Sequence, residues 1–141
     1  MSIEDQLKIV GARYAISALY VFGSRVSEIV SRIHGRAVSP GIPESDVDIG
    51  VQPAFGRRLT AEERVRLALD LEDLLGVKRV DLVLLPEADP FLALEAVRGE
   101  LLYCADSDSQ AEEELYILRR AADLAPYAGE RWRLILSGKT P

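Results

Sequence analysis

Ser45-Asp46-Val47-Asp48-Ile49-Gly50-Val51 alternates strictly between apolar and polar or small residues, the pattern of a β-strand with one buried face. Val47, Ile49 and Val51 share that face, and Asp46 and Asp48 share the other, so the two carboxylates project side by side. Two such anions about 4 Å apart repel by roughly 4 kcal/mol at an effective dielectric near 20. A divalent cation cancels that repulsion, and oxygen ligands with room left for water and phosphate oxygens are what Mg²⁺ takes. Downstream, Arg79-Val80-Asp81-Leu82-Val83-Leu84-Leu85, stopped by Pro86, reads as a further strand carrying a single acid among apolar neighbours. An isolated carboxylate is costly to bury there. If the two strands pair, Asp81 becomes a third metal ligand beside Asp46 and Asp48.

Upstream, Ala18-Leu19-Tyr20-Val21-Phe22 is a short apolar run ended by Gly23-Ser24, which predicts a buried strand stopping at a tight turn. Helical spacing resumes at Val26, Ile29, Val30 and Ile33. Gly23 lets backbone approach a phosphate closely, Ser24 offers a hydroxyl, and the helix start directs N–H groups and a partial positive charge at the same point. Arg25, next to the turn, is a candidate phosphate contact. Alone, Asp-x-Asp is common on half-exposed strands, and Gly-Ser after a strand is ordinarily a turn and helix cap. Together the three segments define a metal-and-phosphate constellation whose parts need one another.

The rest of the chain supplies helices between these strands. An amphipathic helix is predicted from about Ile3 to Ala18, with Leu7, Val10, Tyr14 and Ser17 on one side. Gly35 ends the second helix, His34 serving as an ordinary helix-end residue, and Arg36 to Glu44, with Pro40, Gly41 and Pro43, reads as loop. Thr60-Ala61-Glu62-Glu63 has the form of a capping box and opens a helix running to Gly76. Arg57-Arg58 just before it reads as a solvated pair. Pro90 begins a short helix through Val97, Gly99 turns the chain, and Leu101-Leu102-Tyr103 supplies an edge strand. A last helix is expected from about Ser109 to Leu124, with Pro126 breaking it and leaving 126–141 as a tail that carries Tyr127, Trp132, Leu134, Ile135 and Leu136. The alternation of helix and strand predicts an α/β (α+β) fold, a small mixed sheet with helices packed on it, in a single domain over 1–141.

Composition narrows the function. The 141 residues are 48% hydrophobic and 28% charged, ordinary for a globular chain. Cys104 is the only cysteine, so no internal disulfide is possible, and its flanks predict a small buried residue at a strand end. No stretch approaches the roughly 18 apolar residues of a membrane span and no leader pattern opens the chain, so cytoplasmic residence is expected. With 17 basic against 23 acidic residues, the net charge of −6 disfavours direct binding of a long nucleic acid. A single triphosphate with its metal remains compatible, because local charge dominates within a few ångströms.

Leu19-Tyr20-Val21-Phe22-Gly23-Ser24-Arg25, then Ser45-Asp46-Val47-Asp48-Ile49-Gly50-Val51, then Val80-Asp81-Leu82-Val83 resemble the minimal nucleotidyltransferase (MNT) family of the DNA polymerase β superfamily over roughly Ile3 to Tyr103. The resemblance implies a polymerase β-like nucleotidyltransferase core. It further implies that Gly23 and Ser24 hold the triphosphate of ATP, that Asp46 and Asp48 bind two Mg²⁺ ions, and that Asp81 helps bind one metal near the attacking hydroxyl. Such metals lower the pKa of the attacking group and stabilise the departing pyrophosphate. Many family members of this size pair with a HEPN-domain toxin, transfer AMP to one of its tyrosines and so silence it. A HEPN-domain partner and an antitoxin role are therefore expected, and a homo-oligomer is compatible. This chain departs from the family pattern in two places. Glu28 stands where a further glycine is usual, and the spacer from Arg25 to Ser45 is about twice the usual length. The departures motivate a second reading, a non-catalytic binding protein on the same fold. A third is transfer to a small molecule, for which a dimer would have to supply the other wall of the cleft.

Overall fold

In the computed structural model, the structure describes residues 1–35 and 46–136, the last ten of these as backbone alone. The elements in chain order are α1 (Ile3–Arg13), β1 (Ile16–Phe22), α2 (Val26–Ile33), β2 (Val47–Pro53), α3 (Ala61–Leu75), β3 (Val80–Leu84), α4 (Pro90–Val97), β4 (Glu100–Cys104) and α5 (Ser107–Leu136). The strands form one mixed sheet in the order β3-β2-β1-β4. β1 is antiparallel to both of its neighbours, whereas β2 and β3 run parallel. The result is the α/β layering that the order of sequence patterns predicts.

Strand parity divides the sheet into two faces. On one, Leu19, Val21, Val47, Ile49 and Val51 pack with Leu7 and Val10 of α1 and Leu67, Leu71 and Leu75 of α3. On the other, Ala18, Tyr20 and Phe22 meet Ala93, Ala96 and Val97 of α4 and Ile117 of α5. All seven residues of β1 are buried, because helices cover both of its sides. Local chemistry fixes the helix ends. The Glu63 amide donates to Thr60 Oγ1 at 3.1 Å and the Thr60 amide to Glu63 Oε1 at 2.9 Å, which completes the expected capping box. Gly76 closes the same helix at φ +66°, a conformation that favours glycine. His34 caps the end of α2 before Gly35, as expected, and Cys104 ends β4 half-buried.

Two expectations are corrected. The first helix does not reach Ala18: it ends at Arg13, the chain reverses at Ala15 with φ +52°, and Ile16 and Ser17 already belong to β1. Sheet pairing outweighs the helical spacing there. Ile16 pairs with Pro53, and the Ser17 hydroxyl donates to Glu113 Oε1 at 2.5 Å, both of which need extended backbone. Pro126 does not break the last helix either, since α5 continues to Leu136. A proline removes one amide donor, the partner of the carbonyl four residues earlier. That carbonyl belongs to Ala122, and residues 122–126 are all exposed, so water can take the place of the lost bond. The side chains of Tyr127, Trp132, Leu134, Ile135 and Leu136, and the loop from Arg36 to Glu44, lie outside the described residues. Among the described residues no helix is long and apolar enough to cross a membrane.

Gly99 shows how tightly the centre of the sheet is packed. A Cβ added there would lie 2.1 Å from the Val21 carbonyl oxygen and 2.8 Å from Phe22 Cβ. Neither neighbour can yield without moving β1. Gly99→Ala should therefore destabilise the fold by about 1–3 kcal/mol, the usual penalty of overpacking, measurable by urea unfolding with an unchanged m-value.

Candidate active site

The carboxylates gather where β1 ends. Phe22 is paired with Asp48, and Asp48 lies opposite Asp81 across the parallel β2–β3 ladder. Strand alternation turns Asp48 to the α4 face of the sheet, away from buried Val47 and Ile49. Gly23 follows at φ +86° and approaches Asp48 so closely that a Cβ on it would stand 2.5 Å from Asp48 Oδ2. Both the conformation and the clearance require glycine. Gly23 and Ser24 are exposed, and the following helix receives no side-chain cap from its N-cap residue, Arg25. Amides at such an end are suited to an anion.

Asp48 feels this crowding. Burial pushes its carboxyl above the ordinary value of 3.8, and the charges of Asp81, Asp46 and Glu95 push it further in the same direction. Asp46, just ahead of β2, and Asp81 are exposed. The structure thus brings Asp46, Asp48 and Asp81 to one end of the sheet with Gly23 and Ser24. It also adds Glu95, which sequence reasoning missed. The available signal was its place as the one charged residue of α4, Pro-Phe-Leu-Ala-Leu-Glu-Ala-Val.

The donor set suits Mg²⁺ in chemistry, being oxygen only and anionic. Among the described residues, no three His, Cys, Asp or Glu side chains converge closely enough to enclose an ion by themselves. Arg25 directly follows the turn. It is 8% exposed and its Nε donates to Glu28 Oε2 at 2.6 Å, so its charge is matched within the protein. Arg57 and Arg58 are exposed, as expected, with Arg58 reaching Glu87 at 3.3 Å. A cavity of about 500 Å³ lined by Pro53, Phe55, Pro90, Glu113, Tyr116 and Ile117 lies toward the other end of β2 and includes none of the site residues.

The raised Asp48 pKa has a defined sign in stability. The fold favours the protonated acid, so ionised Asp48 costs stability at every pH above its raised pKa, and the cost fades as pH falls through that value and below 3.8. Without Mg²⁺, Asp48→Asn should raise the melting temperature at pH 7 by a few degrees, and the gain should vanish in acid below the ordinary carboxylate range. Thermal melts of both proteins between pH 3 and 8 check this. A gain that grows on acidification would contradict the crowding.

Residues 5–108 match the family described as Polymerase beta, Nucleotidyltransferase, which covers most of the chain. No curated protein matches. Among solved structures, an MntA–HpeT toxin–antitoxin complex in mutant form aligns with a TM-score of 0.70 at 18% identity, covering 94% of this chain and 98% of that one. A toxin–antitoxin structure with AMP-PNP aligns at 0.67 and 20% identity, with coverage of 94% and 98%. A third, the tri-AMPylated HEPN toxin of Shewanella oneidensis in complex with MNT antitoxin, aligns at 0.60 and 22% identity, covering 96% and 94%. At such identities these likenesses establish the shared fold. The family match, which contains the Gly-Ser turn and all three aspartates, settles membership: the chain belongs to the polymerase β-type nucleotidyltransferases.

Proposed function

We propose that this nucleotidyltransferase transfers AMP from ATP, with Mg²⁺, to a tyrosine of a HEPN-type partner and thereby acts as its antitoxin. One observation carries the reading: Asp48 is paired in register with Asp81 and lies against the Gly23 turn, so anionic ligands and a phosphate-binding backbone share one end of the sheet. The likeness to antitoxins solved with HEPN toxins, one of them tri-AMPylated, and to a complex with AMP-PNP supports the choice of donor and acceptor.

In this reading Gly23, Ser24 and the first amides of α2 hold the triphosphate, with Arg25 bracing the turn. Asp46 and Asp48 would hold two Mg²⁺ ions, and Asp81 would share one of them. When bound, the ions neutralise the phosphates and the developing charge on pyrophosphate. The tyrosine oxygen attacks the α-phosphorus as the bond to the β-phosphate oxygen breaks, so AMP becomes joined to the phenol and pyrophosphate leaves. Asp81, exposed on the outer strand of the site, would accept the phenolic proton. Asp48 would hold the metal as a carboxylate, because a bound cation would oppose the upward shift that burial and neighbouring acids impose. The second reading, neutralisation of a partner by contact alone, draws on the pairing of Arg25 with Glu28 beside the turn.

Incubation with ATP, Mg²⁺ and the HEPN-type partner should yield an AMP adduct on a partner tyrosine by mass spectrometry; an unmodified partner that is nevertheless silenced would sink the enzymatic reading in favour of the second. Asp46→Ala and Asp48→Ala should each lower transfer by about 100-fold or more while the fold persists. Near-normal transfer by either would remove it from the metal site. Ser24→Ala should weaken ATP binding only modestly, because the backbone donors of the turn remain. Calorimetry with ATP and Mg²⁺ tests that order, and complete loss of binding would reverse it.

A further inference from the structure

Glu28, which replaces the glycine usual in the family, belongs to a chain of charged contacts that starts at the phosphate turn. Arg25 follows directly on Gly23-Ser24 and is buried. It engages Glu28 Oε2 side-on, through Nε at 2.6 Å and a terminal nitrogen at 2.5 Å. The Glu28 side chain is 10% exposed, and its other oxygen faces Arg32 one turn along α2 at 3.4 Å. Arg32 in turn donates to the carbonyls of Leu75 and Gly76, each at 2.9 Å, at the end of α3. The contacts therefore run unbroken from the turn to a helix packed on the far side of the sheet from Asp48.

This chain of contacts adds a polar tie to the apolar packing of Val26, Ile29, Val30 and Ile33 that holds α2 on the core. The helix has eight residues, too few to be stable by itself. Ile29 is its one fully buried residue, and its N-cap residue, Arg25, gives no side-chain cap. Loss of the Glu28 carboxylate removes the two contacts that hold the buried Arg25 guanidinium on α2, which lets Arg25 shift and the turn beside it with it. Geometry and charge also predict opposite effects on an anion. By charge alone, neutralising Glu28 near the turn should draw a triphosphate in more strongly. By positioning, it should weaken binding.

We propose that Glu28 is a positioning residue: through Arg25 it holds the Gly23-Ser24 turn and the first turn of α2 in the phosphate-binding arrangement, and through Arg32 it ties that arrangement to the end of α3. The proposal rests on the nucleotide site argued above. The test uses the full chain as wild type, Glu28→Gln, Glu28→Gly and Arg32→Gln, with ATP–Mg²⁺ affinity read by calorimetry well below every melting temperature. Glu28→Gln and Glu28→Gly should each weaken ATP binding about tenfold, and Arg32→Gln should act in the same direction but less, as for groups that orient a ligand-binding shell. Transfer to the partner at saturating ATP should change little, so the effect falls on KM rather than kcat. ATP binding as tight as or tighter than wild type in Glu28→Gln, with wild type itself binding, overturns the positioning role and leaves the site reading standing. No ATP binding by the wild type overturns the site reading and this inference with it. Should Glu28→Gly fail to fold, Glu28→Gln and Arg32→Gln still decide the sign.

Discussion

Burial of β1 on both faces is the constraint from which the rest of the architecture follows. A strand with all seven residues hidden must have neighbours on both edges and helices on both sides. Its antiparallel pairing to β2 and β4 satisfies its backbone, while α1 and α3 cover one face and α4 and α5 the other. No polar side chain is easily admitted to such a strand. The hydroxyls of Ser17 and Tyr20 are the exceptions, and each has a partner on α5, Ser17 donating to Glu113 and Tyr20 accepting from Gln110. The strand has to end in a residue that can leave this double cover abruptly. Gly23 does so in the left-handed region, and the absence of its side chain leaves room for Asp48.

The same packing makes the acidic end of the sheet costly. Asp48 is fixed by the register with Phe22 and Asp81, so it cannot move away from its neighbours without breaking two ladders. Its raised pKa expresses that frustration, with burial the largest cause and like charges adding to it. Groups placed against their own stability are typical of functional sites, where a ligand of opposite charge resolves the conflict. Arg25 illustrates the contrary case. It is buried near the turn but already compensated by Glu28, and so belongs to the support of the site.

Much of this was legible in the sequence because the decisive features are local. Alternation over residues 45–51 placed Asp46 and Asp48 on one face, and the apolar run before Gly23 placed the turn. Thr60 and Glu63 marked the start of α3 to the residue. The failures arose where distant contacts outweigh local pattern. Tyr14 and Ser17 lie at helical spacing, yet Tyr14 ends the helix with its hydroxyl donating to Asp70 at 2.6 Å, and Ser17 belongs to the sheet. Pro126 carries a strong local stop signal, but at an exposed stretch the loss of one hydrogen bond is not enough to end a long helix. Glu95 escaped notice because nothing in sequence spacing brings α4 over β2; only the sheet order does. The pairing of Arg25, Glu28 and Arg32 follows the three- and four-residue helical spacing and could have been read. Its link to the carbonyls of Leu75 and Gly76 could not.

The overall charge can be reconciled with an anionic substrate through these placements. A net charge of −6 repels anions at long range, but salt screens that field within about 8–10 Å, so affinity is decided by the groups at the turn. There the backbone amides of α2 contribute partial positive charge without adding a titratable cation. On the proposed reading, ATP brings its metal with it. The carboxylates that repel a bare triphosphate then attract the metal complex, so the acidic cluster selects for the metal-bound form over the free nucleotide. Selectivity of that kind needs carboxylates that stay unmatched by protein cations. Asp48 meets the condition, since every charge that shifts its pKa is another acid.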